Sequence, residues 1–470
     1  MVSEQISATD AISGSRLDVF ARTDYVLSFV TGFGRSWSYQ LYQNYLTAAG
    51  VAAEDPEDGK GSIQDYVVSF TELIRSMIVS GFDDRKGLIP ISNYGISNGA
   101  HRLAAALVLD SKIWVEQSSE LCSIIDYRWL EKSGLDQDFI NHMAFELLRF
   151  KSNARAYVFF DIESQLCDQL ENDIRDETDI VIRRHILLTE VGKRRIINLL
   201  YDYNEWWHTE LLEQFVIERF DKEYNSVEVI FTLENDLPNR QPRKEGLRTK
   251  LPDNIFERKI HGTDSFFDTL WLAESILNQN AIAFLNSAPI GSEDKILERI
   301  GTPTRITPQS RLFGDYCIDG SAVLELHGLR NANDIDYIYY GQNCVPASVL
   351  RIGDCHNHRY SFNSVSLDEI IFNPRLHFYF RGIKFISLGM LLLQKYENNS
   401  VDSMMDCDLI IKSRTNVPKT YFNRDARKIA FRTKIVTLIT RRVDRWLRKL
   451  PRVLEIKIRK SIVFMRDIFD

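Results

Sequence analysis

The stretch that most constrains this chain is Gly320-Ser321, followed after twelve residues by Asp334-Ile335-Asp336 and then Tyr337-Ile338-Tyr339-Tyr340. The residues after Gly320 have the spacing of a short helix, and residues 334–340 alternate acid with apolar or aromatic side chains, the period of a strand. A helix start led by glycine therefore precedes a strand that carries two carboxylates. Side chains two apart on a strand share a face, which places Asp334 and Asp336 roughly 7 Å apart at Cα, a spacing that brackets hard divalent cations. Mg²⁺ takes oxygen ligands and usually binds through one or two carboxylates plus substrate phosphates. The unpaired N–H groups after Gly320 offer a place for a triphosphate tail. A surface turn with a solvated Asp-x-Asp is the competing reading.

The pattern of Gly-Ser, a dozen residues, then Asp-hydrophobic-Asp-hydrophobic resembles the nucleotidyltransferase superfamily of DNA polymerase β, over roughly residues 310–411. The resemblance implies Mg²⁺ (or Mn²⁺) held by Asp334 and Asp336, a nucleoside triphosphate at Gly320 and Ser321, and two-metal transfer of a nucleotidyl group to a small hydroxyl or phosphate acceptor. Family members usually add a third carboxylate on a neighbouring strand. Asp368 and Glu369 are the two offered here, neither at a position the sequence fixes. In the same reading Lys384 meets phosphate; alternatively it is a solvated lysine that blunts a sheet edge.

Length and composition set the frame around this unit. A chain of 470 residues has room for about three domains of ordinary size. With 44% apolar and 26% charged residues it has a globular composition, which excludes collagenous and low-complexity classes. The six cysteines contain no Cys-x-x-Cys pair, so neither a zinc ribbon nor a disulfide framework is suggested, and a reducing compartment is expected. Cys355, His356 and His358 raise a zinc question but lack a second clustered set of ligands. Residues 1–15 carry no basic-plus-apolar leader and no apolar run reaches membrane-spanning length, so the expected location is cytoplasmic.

In the N-terminal region, residues 16–50 and 62–80 have helical periodicity. Residues 88–107 then read as two short strands, an Asn98-Gly99 turn and an Ala-rich helix opening at Ala100. His101 and Arg102 fall in the first turn of that helix, where the dipole disfavours cations unless an anion is present. The segment resembles the Asp-Gly-His-His-Arg turn of the ParB/sulfiredoxin fold, whose members include nucleotide-binding partition proteins and free-serine kinases. Gly99, His101 and Arg102 match that turn, Asn98 stands in place of its acid, and the resemblance implies phosphate binding there. A hairpin followed by a buried helix is the plainer reading.

Residues 154–288 alternate strand and helix in the order of a ferredoxin-like α+β sandwich. That order, together with Ile260-His261-Gly262-Thr263-Asp264-Ser265, resembles nucleoside diphosphate kinases. The resemblance implies that His261 carries a phosphoryl group between nucleotides and that Arg248 contacts phosphate. Asp161-Ile162-Glu163 stands where those kinases have a catalytic Lys-Pro-Asp, and Arg258 where they have Asn, so the fold is implied more directly than the activity.

From Arg424 to Asp470 there are fifteen Lys or Arg against five Asp or Glu, a balance of +10 in a chain whose net charge is −7. Apolar residues recur among them at helical spacing, with Trp446 and Leu447 in the series. Residues 425–470 thus read as basic amphipathic helices suited to a membrane surface at the inner face, a protein partner or nucleic acid, or as a helical pair packed on the preceding domain.

The expected architecture is an α+β multidomain chain: residues 1–150 with a ParB/sulfiredoxin-like unit, 151–288 a ferredoxin-like unit, 289–422 a polymerase-β-type nucleotidyltransferase, and 423–470 a basic helical tail. A kinase-like module joined to a nucleotidyltransferase suggests phosphorylation and activation of a small alcohol or sugar for surface polysaccharide synthesis. The rivals are a nucleotide-binding regulator or scaffold with degenerate sites, and a transferase that nucleotidylates a protein or a nucleic acid end.

Overall fold

The computed structural model describes residues 3–31, 36–50, 62–92, 95–118, 124–201, 206–221, 224–234, 240–250, 257–300, 316–340, 353–357, 365–398 and 400–413. Met1–Tyr421 forms one unit and Phe422–Asp470 a second. The basic tail, 425–470, lies wholly outside the described residues, as does His358. The described chain is α+β, with three four-stranded sheets wrapped by helices.

The first sheet has the order β1-β4-β2-β3, built from Ser3–Ser7 (β1), Ile89–Ser92 (β2), Gly95–Ile96 (β3) and Lys112–Gln117 (β4). Helix Ala100–Val108 lies under it, with Leu103, Ala104, Ala105, Ala106 and Leu107 buried. The three alanines leave room for helix Asp18–Val30 to pack closely against it. Gly99 opens that helix at φ +84°, a conformation that side chains rarely adopt.

The second sheet has the order β6-β7-β5-β8, every pair antiparallel, from Ala154–Phe160 (β5), Asp179–Leu187 (β6), Ser226–Leu233 (β7) and Ile260–Gly262 (β8). β5 and β7 occupy the centre with all their residues buried, which is why both read as near-continuous apolar runs. Helix Phe266–Ile276 follows β8 and starts on a capping box in which Ser265 and Asp268 each satisfy the other's backbone N–H.

The third sheet has the order β10-β9-β12-β11, from Tyr316–Asp319 (β9), Asp336–Tyr339 (β10), His377–Phe380 (β11) and Ile383–Ile386 (β12). β9 runs antiparallel to β10 and parallel to β12. A two-residue turn joins β11 to β12 with both Arg381 and Gly382 at positive φ, the geometry that matches the twist of a hairpin.

One apolar core runs continuously under the first two sheets, between residues 8 and 285, and a second surrounds the third sheet, between residues 281 and 410. Polar contacts bind the third sheet to the rest. The Asn278 and Asn280 side chains donate to the carbonyls of Pro374 and His377. Arg375 pairs with Asp136 and Asp138 while lying over Trp37 and Phe139. Among the described residues no helix is long and apolar enough to cross a membrane.

Candidate active site

β9 ends at Asp319, Gly320 turns the chain, and helix Ser321–Leu326 begins at once. Gly320 has φ +69° and ψ −142°, a region essentially restricted to glycine. A Cβ there would stand 3.1 Å from Oδ2 of Asp336, so the Asp336 carboxylate lies over the bare Cα of Gly320. Two features of the sequence, separated by more than a dozen residues, thus meet at one point.

The strand that carries the acids is shorter than its alternation suggests. β10 begins at Asp336, and Asp334 lies just before it, exposed, with its Oδ1 3.4 Å from the Ser321 hydroxyl. The loop between helix and strand is fixed from several sides, which sets where Asp334 falls. Arg299 pairs with Glu325 and donates to the carbonyls of Ala332 and Asn333, while Glu325 also accepts the Ala332 amide. Arg330 forms a two-pronged pair with Asp406 of helix Val401–Ser413, and Lys395 joins it at 3.0 Å. Burial pushes the Asp406 carboxyl up, but Arg330 and Lys395 outweigh it and hold the group below the ordinary carboxylate range.

Two further residues belong to the site. Asp319 pairs directly with Asp336 in the β9–β10 register and is completely buried. It accepts the Gly320 amide at 2.5 Å and the Gln394 side-chain amide at 3.0 Å. His356, also buried, sits between the two acids, with Nε2 3.3 Å from Oδ1 of Asp336 and Nδ1 3.7 Å from Oδ2 of Asp319. Nothing local in the sequence announces Asp319, because its relation to Asp336 exists only in the pairing of two strands.

The expected additions to this site lie elsewhere in the fold. Asp368 and Glu369 stand on helix Leu367–Phe372 and accept from the Ser36 hydroxyl, Glu369 at 2.7 Å, tying that helix to the N-terminal region. Lys384 is within β12 and almost wholly buried. Its Nζ donates to the Ile371 carbonyl at 2.8 Å and lies over the rings of Phe372 and Tyr379. It faces a cavity of about 70 Å³ shared with His377, Glu274 and Arg149. Burial, with Lys384 adding, pushes the His377 imidazole well below its ordinary value, and burial pushes the Glu274 carboxyl up to about 7.

In the second sheet His261 is buried on β8, its Nδ1 3.0 Å from the Tyr201 hydroxyl, which in turn accepts from Arg219 at 2.9 Å. Arg248 lies in the last turn of helix Arg240–Thr249, and it donates to the carbonyl of Ile260, the neighbour of His261. The two residues are therefore brought together. Asp161 is part of the fabric here, accepting the Asn225 amide at 2.7 Å and lying against buried Lys259.

Beside the first sheet, His101 Nε2 is 2.8 Å from the Tyr42 hydroxyl, and its ring meets Phe70 edge-on. Arg102 donates to the carbonyls of Gly87 and Leu88, and burial lowers its pKa from the ordinary value. Among the described residues no carboxylate pairs with it. No protein-family model, no curated protein and no solved structure matches the chain.

Proposed function

We propose that this chain is a divalent-cation-dependent nucleotidyltransferase of the DNA polymerase β type, acting from a nucleoside triphosphate on a small hydroxyl or phosphate acceptor. The observation that carries the reading is the seating of Asp336 over the bare Cα of Gly320, with Ser321 and Asp334 at the same end of the sheet. A cation fits this donor set, since Asp334 and Asp336 supply only carboxylate oxygens and Asp334 is open to solvent. Among the described residues no group of three His, Cys, Asp or Glu gathers as a metal cage, and a Mg²⁺ held by one or two carboxylates would complete its shell with waters and substrate phosphate oxygens. When bound, the cation supplies charge neutralisation at the phosphates. The protein's part is to hold Asp336 rigidly and to keep Asp334 in reach through the Arg299, Glu325 and Arg330 contacts.

The other two units fit a protein that handles nucleotides. The order β6-β7-β5-β8, antiparallel throughout, supports a ferredoxin-like sandwich of the nucleoside diphosphate kinase type, with His261 as phosphoryl acceptor beside Arg248. Arg102, which pairs with no carboxylate among the described residues and stands at the start of a glycine-opened helix, supports an anion site in a ParB/sulfiredoxin-like unit. Activation of a small alcohol or sugar for surface polysaccharide synthesis remains the broader role we propose.

One observation favours a second reading, a nucleotide-binding regulator with degenerate sites: Lys384, His101 and Arg102 all spend donors or acceptors on the protein itself. Incubation with each labelled nucleoside triphosphate, Mg²⁺ and a small-metabolite extract separates the two. New nucleotide conjugates that vanish in both Asp334→Asn and Asp336→Asn support transfer. Nucleotide binding with no conjugate in the wild type supports the regulator.

A further inference from the structure

We infer that His356 is a positioning residue for the Asp336 carboxylate, delivered by a strap, residues 353–357, laid along the outer edge of β10. The inference rests on the nucleotidyltransferase reading.

β10 is an edge strand in the order β10-β9-β12-β11, and its outer backbone groups would otherwise face away from the sheet. The strap takes them up. Tyr337 N donates to the Asp354 carbonyl at 3.3 Å and His356 N to the Tyr337 carbonyl at 2.8 Å, a single parallel bridge. Asn357 then imitates one more strand residue, its side chain accepting the Tyr339 amide at 2.8 Å and donating to the Tyr339 carbonyl at 2.6 Å. Gly353 permits the approach, because a Cβ there would stand 2.0 Å from the Ile335 carbonyl oxygen. Glycine, histidine and asparagine are thus each needed at their own place along five residues.

The outcome of this seating is the imidazole between Asp319 and Asp336. Residues directly opposite on paired antiparallel strands have Cβ atoms about 4.5–5.5 Å apart, and like charges so placed repel. Asp319 is already held by the Gly320 amide and by Gln394. Asp336 has its Oδ2 over Gly320 and its Oδ1 toward His356, so the imidazole contact sets the rotation of this carboxylate. A ligand carboxylate held in one orientation meets a cation without first being ordered. Contacts of this kind typically matter 10–100-fold in metal affinity.

The test measures Mn²⁺ binding to the full chain by electron paramagnetic resonance, without nucleotide, alongside thermal melting. His356→Leu fills the space without a donor, and His356→Gln fills it and keeps one. We expect the Leu variant to bind Mn²⁺ at least about tenfold more weakly and the Gln variant to stay within about threefold of wild type, both melting near the wild type. Leu binding Mn²⁺ as the wild type does, or Leu and Gln weakened equally, would overturn the positioning role. If His356→Leu does not fold, His356→Met, also without a donor, is read in the same way. Asp334→Asn serves as the parallel control: if it leaves Mn²⁺ binding unchanged, the nucleotidyltransferase reading itself falls, whatever the His356 variants do.

Discussion

Glu274 gives the sharpest quantitative test of how the third sheet is joined to the rest. It sits on helix Phe266–Ile276 and accepts the Gly382 amide at 2.9 Å, reaching from the layer of the second sheet to the β11–β12 turn. Only 8% of the residue is exposed, and the cation that draws on its charge, Arg149, is spent on Glu146 at 2.8 Å. His377, in the same cavity, is held neutral by burial. Burial therefore outweighs the Gly382 bond and the pull of Arg149, and the carboxyl moves from 4.5 up to about 7. The folded protein binds this proton more tightly than the unfolded chain. Its contribution to stability is thus fully present below about pH 4.5 and is lost as pH rises to 7. At about 1.36 kcal/mol per tenfold, the loss amounts to about 3 kcal/mol at pH 8.

Glu274→Gln keeps an oxygen to accept from Gly382 and removes the charge. It should be more stable than the wild type by up to about 3 kcal/mol at pH 8, with the gap closing toward pH 4.5. Hydrogen exchange at the amides of the β11–β12 hairpin reads this locally, without assuming that both cores unfold together. A variant no better protected than the wild type at pH 8, or a gap that persists unchanged at pH 4.5, would refute the reasoning.

Gly320→Ala combines a backbone conformation that costs about 1–3 kcal/mol for a non-glycine residue with a Cβ 3.1 Å from the Asp336 carboxylate. Denaturant unfolding should show the destabilisation, and Mn²⁺ affinity should fall with it; unchanged values for both would refute the seating argument. The Asp406 carboxyl is held low by Arg330 and Lys395, so its stabilising contribution is present above the ordinary carboxylate value and lost as pH falls through the lowered one. Asp406→Asn should therefore destabilise the loop before Asp334 at pH 7 and make no difference in strong acid, measured by exchange at Ala332. Arg102→Ala should weaken nucleotide or inorganic phosphate binding by the about 1.5–3 kcal/mol of a charge-assisted bond, roughly tenfold or more by calorimetry; equal affinity would place the anion site elsewhere.

The alternation of residues 334–340 and the strand–helix order of the second unit are local patterns, and the strands and helices they announce are present. β5, β6 and β7 lie where their apolar runs fall, and the helix after Gly320 is Ser321–Leu326. Local periodicity reports which faces must be buried, so it survives translation into structure. The one shortening that matters, β10 starting at Asp336 rather than Asp334, comes from the Arg299 and Arg330 contacts, which pull the preceding residues into a fixed loop.

Register and cross-chain approach decided the rest. Asp319 opposite Asp336, His356 between them, Lys384 turned into a cavity and Asp368 and Glu369 bound to Ser36 all join residues from separate segments. Gly320 is legible in the sequence as the residue that leads a helix, but that its missing side chain makes room for the Asp336 carboxylate is not. The sequence by itself determined which short elements form and which polar residues they carry. Tertiary structure alone decided which of those residues share a site, because strand pairing is set by the summed burial of many distant side chains and not by the few that meet there.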